Sequence, residues 1–149
     1  MKHWNVLLVF VIALFSLISC AVSNKKREII SVKHGFSFGM CNGYCFKENT
    51  YTSEDFIHYE KAYGRTNPKD FPEKMDSISI SPKEWEQIIS KIDLEKFYAE
   101  QETIGCPDCA DGGSEWIEIA TSDKVYRVTF EFGKPSEELK AIYSVLRKL

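Results

Sequence analysis

The nine residues Gly105 to Gly113, GCPDCADGG, hold two cysteines, two aspartates, one proline and three glycines. A second cysteine-bearing stretch, GMCNGYC, spans Gly39 to Cys45. The thiols Cys41, Cys45, Cys106 and Cys109 could do three kinds of chemistry. They could form two disulfides, and sequence alone leaves all three pairings open. A local bridge within either stretch would contribute about 2 kcal/mol, and one joining stretches roughly 65 residues apart about 4 kcal/mol. Local pairs are favoured, because each lies in a glycine-rich loop able to bend. Cys106-Pro107-Asp108-Cys109 could instead be a thiol–disulfide oxidoreductase centre. Such centres lower a thiol's pKa with a helix N-terminus or a cation, whereas Asp108 and Asp111 would oppose thiolate formation. Alternatively, all four thiolates could hold zinc, since both spacings suit it. Asp108, Asp111 and Glu115 also supply oxygen ligands of the kind calcium takes. Their spacing does not follow the EF-hand loop, and aspartate with glycine more simply makes a turn. Disulfides are the preferred reading, with no metal and no cofactor implied.

No catalytic constellation accompanies the thiols. The chain has no G-x-S-x-G, no H-E-x-x-H and no glycine-rich phosphate loop. His34 lies on an alternating strand pattern and reads as a satisfied, partly buried histidine. His58, between Ile57 and Tyr59, is expected to face solvent. The chain is therefore read as leaning away from enzymatic activity.

The N-terminus, MKHWNVLLVFVIALFSLISC, has a basic Lys2 followed by an apolar run from Val6 to Ile18. That run is shorter than the roughly 20 residues a spanning helix needs and suits a secretory signal. Leu17-Ile18-Ser19-Cys20 resembles the lipobox of bacterial lipoproteins. The resemblance implies cleavage before Cys20 and lipid on its thiol, palmitate among the acyl chains. Each buried CH2 contributes about 0.8 kcal/mol, so several chains hold a protein at a membrane. Ala21 is not aspartate, so the inner-membrane retention signal of enteric lipoproteins is absent. Ser23 to Glu28 reads as a short tether, in which Lys25, Lys26 and Arg27 could meet anionic head groups.

The cysteine count fits this reading. Five cysteines are odd for an exported chain; assigning Cys20 to lipid leaves an even four for an oxidising compartment. Lys2 is the leader's only charged side chain, so 19 basic residues fall to 18 against 22 acidic ones, a net charge of −4. That acidity argues against nucleic acid as a partner. Three segments result: a signal peptide at 1–19, lipidated cysteine and tether at 20–28, and one domain at 29–149.

Periodicity within the domain gives its elements. Ile30, Val32, His34, Phe36 and Phe38 alternate as a strand. Further strands are expected over Tyr44–Thr52, Phe56–Tyr63 and Met75–Ile80. Ser81, Pro82 and Glu84 form a capping box, and Ile80 and Trp85 a hydrophobic staple. Trp85, Ile88, Ile89 and Ile92 then follow at helical spacing, and Asp93 caps a short turn carrying Leu94 and Phe97. Trp116–Ala120 and Tyr126–Phe132 are two more strands. A last helix is expected over Ser136–Leu149, its charges suited to the helix dipole. The expected fold is α+β, an antiparallel sheet packed on one face by two helices.

FSFGMCNGYCF, SPKEWEQIISKID and IGCPDCADGGSEWIEI together resemble a family of small lipoproteins and secreted proteins from the Bacteroides–Flavobacterium group. The family marker is G-x-C-x-G-x-C, matched by Gly39, Cys41, Gly43 and Cys45. Members often have proline after the second cysteine, where this chain has Phe46. The resemblance brings no activity, since the family is a domain of unknown function. Surface-exposed lipoproteins of that group often carry a lysine or glutamine followed by acidic residues just after the cysteine, a signal absent from AVSNKKRE. The expectation is therefore an exported, outer-membrane, lipid-anchored protein facing the periplasm, acting as a binding or structural module. Its partners would be the membrane, through the anchor, and an unidentified envelope protein or ligand.

Overall fold

A computed structural model describes residues 27–148. The leader, Cys20 and most of the tether lie outside them. Seven strands form one mixed sheet: β1 (Ile29–Ser37), β2 (Phe46–Tyr51), β3 (Asp55–Lys61), β4 (Lys74–Ser79), β5 (Thr103–Ile104), β6 (Ser114–Thr121) and β7 (Val125–Glu131). Their order is β4-β3-β2-β1-β6-β7-β5. Every pairing is antiparallel except β5 with β7, which is parallel. The sheet is thus largely antiparallel, as expected, and made mixed by a strand of two residues, too short to show a period.

Among the described residues three helices accompany the sheet, α1 (Pro82–Ile89), α2 (Leu94–Ala99) and α3 (Lys140–Leu146), where two were expected. The capping box of α1 is present: Ser81 N–H donates to Glu84 Oε2 at 2.8 Å, and Glu84 N–H donates to Ser81 Oγ at 3.3 Å. Asp93 caps α2 by accepting from Glu95 and Lys96 N–H groups, which makes the expected short turn a helix of its own. The last helix is shorter than expected. Ser136 Oγ donates to Glu100 Oε1 rather than capping the next turn. Leu139 and Lys140 N–H groups bond three residues back, so 136–139 are turns.

The strand register sets the core. Val32 pairs with Ile119 and Tyr51, and Ile117 with Val128, so their side chains share one face of the pleat. With Phe130 they form one buried cluster with Ile88, Phe97, Leu139, Ile142 and Leu146 of the helical segments. Each such side chain contributes roughly 1.5–3 kcal/mol when fully buried. Gly35 on β1 is required by the other face, because a Cβ there would collide with the Trp116 ring. That face carries a charge lattice in which Lys33 and Arg127 both bridge Glu48 and Glu118.

The end of the tether is docked. Arg27 pairs with Asp123 at 3.2 Å and lies over the Tyr98 ring, and Ser122 N–H donates to Glu28 O. Among the described residues no helix is long and apolar enough to cross a membrane.

Candidate functional site at the disulfide end of the sheet

Ser37, the last residue of β1, pairs with Phe46 at the start of β2 and with Ser114 at the start of β6. The two cysteine loops therefore leave the same end of the sheet. The cysteines close locally, as Cys41–Cys45 with Cα atoms 5.9 Å apart and Cys106–Cys109 at 5.4 Å. Gly39 N–H donates to Asp108 Oδ1 at 3.4 Å, which links one loop to the other. Sequence reasoning named all four cysteines and preferred local pairs, and the structure has that pairing.

The Cys41–Cys45 loop is held from within. Cys45 is 1% exposed. Thr66, buried in the β3–β4 connection, accepts from Gly43 N–H at 2.9 Å and donates to Cys41 O at 3.2 Å. Phe38 N–H donates to Cys45 O, so β1 continues into the loop. The loop thus satisfies its backbone groups with a buried hydroxyl and the adjoining strand.

The Cys106–Cys109 loop is held at its rim. Both cysteines are exposed. Cys106 N–H donates to Glu131 Oε1 at 3.3 Å, and Asp108 N–H to Gly113 O at 3.0 Å. Asp108, Ala110 and Asp111 all have positive φ, 59°, 51° and 59°. Aspartate tolerates this left-handed region better than alanine, whose Cβ makes it costly by about 1–2 kcal/mol. Gly113, at φ 80°, is needed twice over, because a Cβ would run into the Phe38 ring. A cavity of 190 Å³ opens beside the disulfide, lined by Cys106, Cys109, Gly113, Phe132 and Lys134 among others.

Glu115 does not join Asp108 and Asp111 in an oxygen cluster. It sits at a core-facing position of β6 and is 0% exposed. His34 Nε2 lies 2.6 Å from Glu115 Oε1, and Arg147 Nη1 3.2 Å from the same oxygen. Gly133 N–H and the Tyr143 hydroxyl donate to Oε2 at 2.8 and 3.2 Å. Burial alone would push the Glu115 carboxyl up. The His34 hydrogen bond, the Gly133 N–H and the positive charge of Arg147 outweigh it and hold the carboxyl below its usual range. Glu115 thus lies apart from Asp108 and Asp111, its charge balanced inside the protein by Arg147 and the surrounding donors. Among the described residues no three His, Cys, Asp or Glu side chains gather in a way that could hold a metal ion. The four-cysteine zinc arrangement is likewise absent, because each cysteine is consumed in a local pair.

The two histidines differ from each other. His34 is buried, as expected, at 5% exposure. His58 does not simply face solvent: it is half-buried, with Nδ1 2.6 Å from Asn49 Oδ1 and Nε2 3.2 Å from Glu60. Sequence reasoning missed the Glu115 cluster. Its signal was a carboxylate in phase with Ile117 and Ile119 on a buried strand, opposite a histidine in phase with Val32. Tyr51 is also buried, and its hydroxyl has no hydrogen-bond partner among the described residues. Burial pushes its pKa up to about 12, against a smaller opposing effect of the Asn49 side chain.

A scan of the chain against protein-family models finds no match. A search of curated proteins finds none either.

Proposed function

We propose that this chain is an exported lipoprotein of the G-x-C-x-G-x-C family, anchored through lipidated Cys20 to the outer membrane and facing the periplasm. In this reading it acts as a binding or structural module of the cell envelope. The observation that carries it is the pair of disulfide-closed loops at one end of the sheet, linked by Gly39 and Asp108. Disulfides persist in exported proteins and are rare in reducing compartments. The leader residues and the lipobox supply the anchor.

The proposal includes a one-sided layer, with the helices sharing one face of the sheet. Its support is that every sheet residue of the buried cluster lies in the same phase of strand alternation. The charge lattice of Lys33, Glu48, Glu118 and Arg127 would then form the open face. The anchor is tested by feeding cells a labelled fatty acid and replacing Cys20 by serine. Label on the wild-type chain and none on Cys20→Ser supports the reading; equal labelling of both, or of neither, contradicts it.

A further inference from the structure

The two disulfides differ in how far another thiol can reach them and in the backbone that carries them. Cys45 is sealed in the core and its loop is braced by Thr66. Cys106 and Cys109 both reach solvent beside a cavity large enough for a small side chain. Disulfide exchange needs an attacking thiolate to reach one sulfur, and exposed or strained bridges are the labile ones. The strain is in the backbone: closing this bridge goes with a left-handed Ala110 between left-handed Asp108 and Asp111. Opening the bridge frees that turn to relax.

We propose that Cys106–Cys109 is an exchangeable redox centre that oxidises a partner dithiol, while Cys41–Cys45 is a permanent staple. The partner is marked by charge. Asp108 and Asp111 flank Cys109 in the chain, and Glu131 holds the Cys106 amide, with Lys134 paired to Glu131 as the one cation among the described residues that line the cavity. The two aspartates beside the exposed pair repel an anionic thiol such as glutathione and favour a dithiol flanked by positive charge.

The reaction balances as a two-electron exchange. A partner thiolate attacks Cys109 Sγ and forms a mixed disulfide, and Cys106 leaves as a thiolate and takes up a proton. Cys106 is the better leaving group because Asp108 and Asp111 are one and two residues from Cys109 but two and five from Cys106. The partner's second thiolate then attacks its own sulfur in the mixed disulfide and releases Cys109, which is protonated. The partner dithiol becomes a disulfide and this pair becomes two thiols. Reduction also removes the turn that presents Asp108 to Gly39, so the link between the loops depends on redox state.

The inference rests on the proposed export only for the compartment in which it would operate. Its chemistry is read directly on the full chain purified in detergent. The protein is titrated with dithiothreitol under native conditions, then alkylated, and the modified cysteines are mapped by mass. Cys106 and Cys109 are expected to open at a dithiothreitol level about tenfold or more below that needed for Cys41 and Cys45. Cationic cysteamine should react faster than glutathione, and Asp108→Asn with Asp111→Asn should narrow that gap. Ala110→Gly removes the backbone strain while keeping both cysteines. It should shift the equilibrium about five- to thirtyfold toward the disulfide, since left-handed alanine costs about 1–2 kcal/mol. Simultaneous opening of both pairs, or earlier opening of Cys41–Cys45, would overturn the proposal, as would an Ala110→Gly variant no harder to reduce than wild type.

Discussion

The loop around Cys41–Cys45 and the loop around Cys106–Cys109 leave the same end of one sheet, yet they are built on opposite plans. The first turns its second cysteine into the core and satisfies its backbone through one buried threonine. The second leaves both cysteines exposed and accepts three left-handed residues that are not glycine. A short disulfide is therefore not one kind of object. Whether it acts as a staple or as a reactive group depends on what its flanking residues are packed against.

The predictions sharpen that contrast, and the largest lies beneath both loops. Glu115 ties β6 to His34 of β1, to Arg147 after α3 and to the Gly133 turn after β7. Replacing it with alanine leaves a buried histidine and an arginine without their anion, and should cost about 3–5 kcal/mol. Urea unfolding would check this; a loss below about 1 kcal/mol would show that the cluster is not what holds this end together. The carboxyl has a folded pKa below its ordinary value of 4.5. It therefore contributes stability that is fully present above that value and is lost as pH falls through the folded pKa. The melting temperature of the wild type should accordingly fall more steeply below about pH 4.5 than that of Glu115→Gln.

Next in size is the staple. Cys41→Ser with Cys45→Ser should cost about 2–4 kcal/mol, combining the lost bridge with a hydroxyl buried at position 45. The same change at Cys106 and Cys109 should cost about 1 kcal/mol or less, because released backbone strain offsets the lost bridge. Equal losses from the two double variants would erase the comparison. The smallest effect is a control away from both loops. Tyr51→Phe removes a buried hydroxyl that has no hydrogen-bond partner among the described residues, and should leave stability within about 1 kcal/mol of wild type or raise it.

Much of this architecture could be read from the sequence. Alternation and the turns between runs located six of the seven strands, and Ser81 and Asp93 each marked a helix start by a side chain that accepts from the first turn. The local pairing of the cysteines followed from glycine placement. What could not be read depends on contacts distant in sequence. The two-residue β5 exists only because β7 offers it an edge. The last helix starts late because Ser136 spends its hydroxyl on Glu100, 36 residues away. Glu115 looked like a loop carboxylate beside Asp108 and Asp111, whereas its strand phase turns it toward His34, 81 residues earlier. The distinction between the two disulfides was equally hidden, since Thr66 lies in a segment that reads only as a proline-broken loop.

The central claim is that the four cysteines form two local bridges in an exported module. It is tested most directly by the intact mass of the purified full chain, with and without reductant, followed by non-reducing digestion. The account predicts a mass lower by four hydrogens without reductant, and fragments that keep Cys41 with Cys45 and Cys106 with Cys109. Bridges crossing between the loops, four free thiols, or a metal retained in the native spectrum would contradict it.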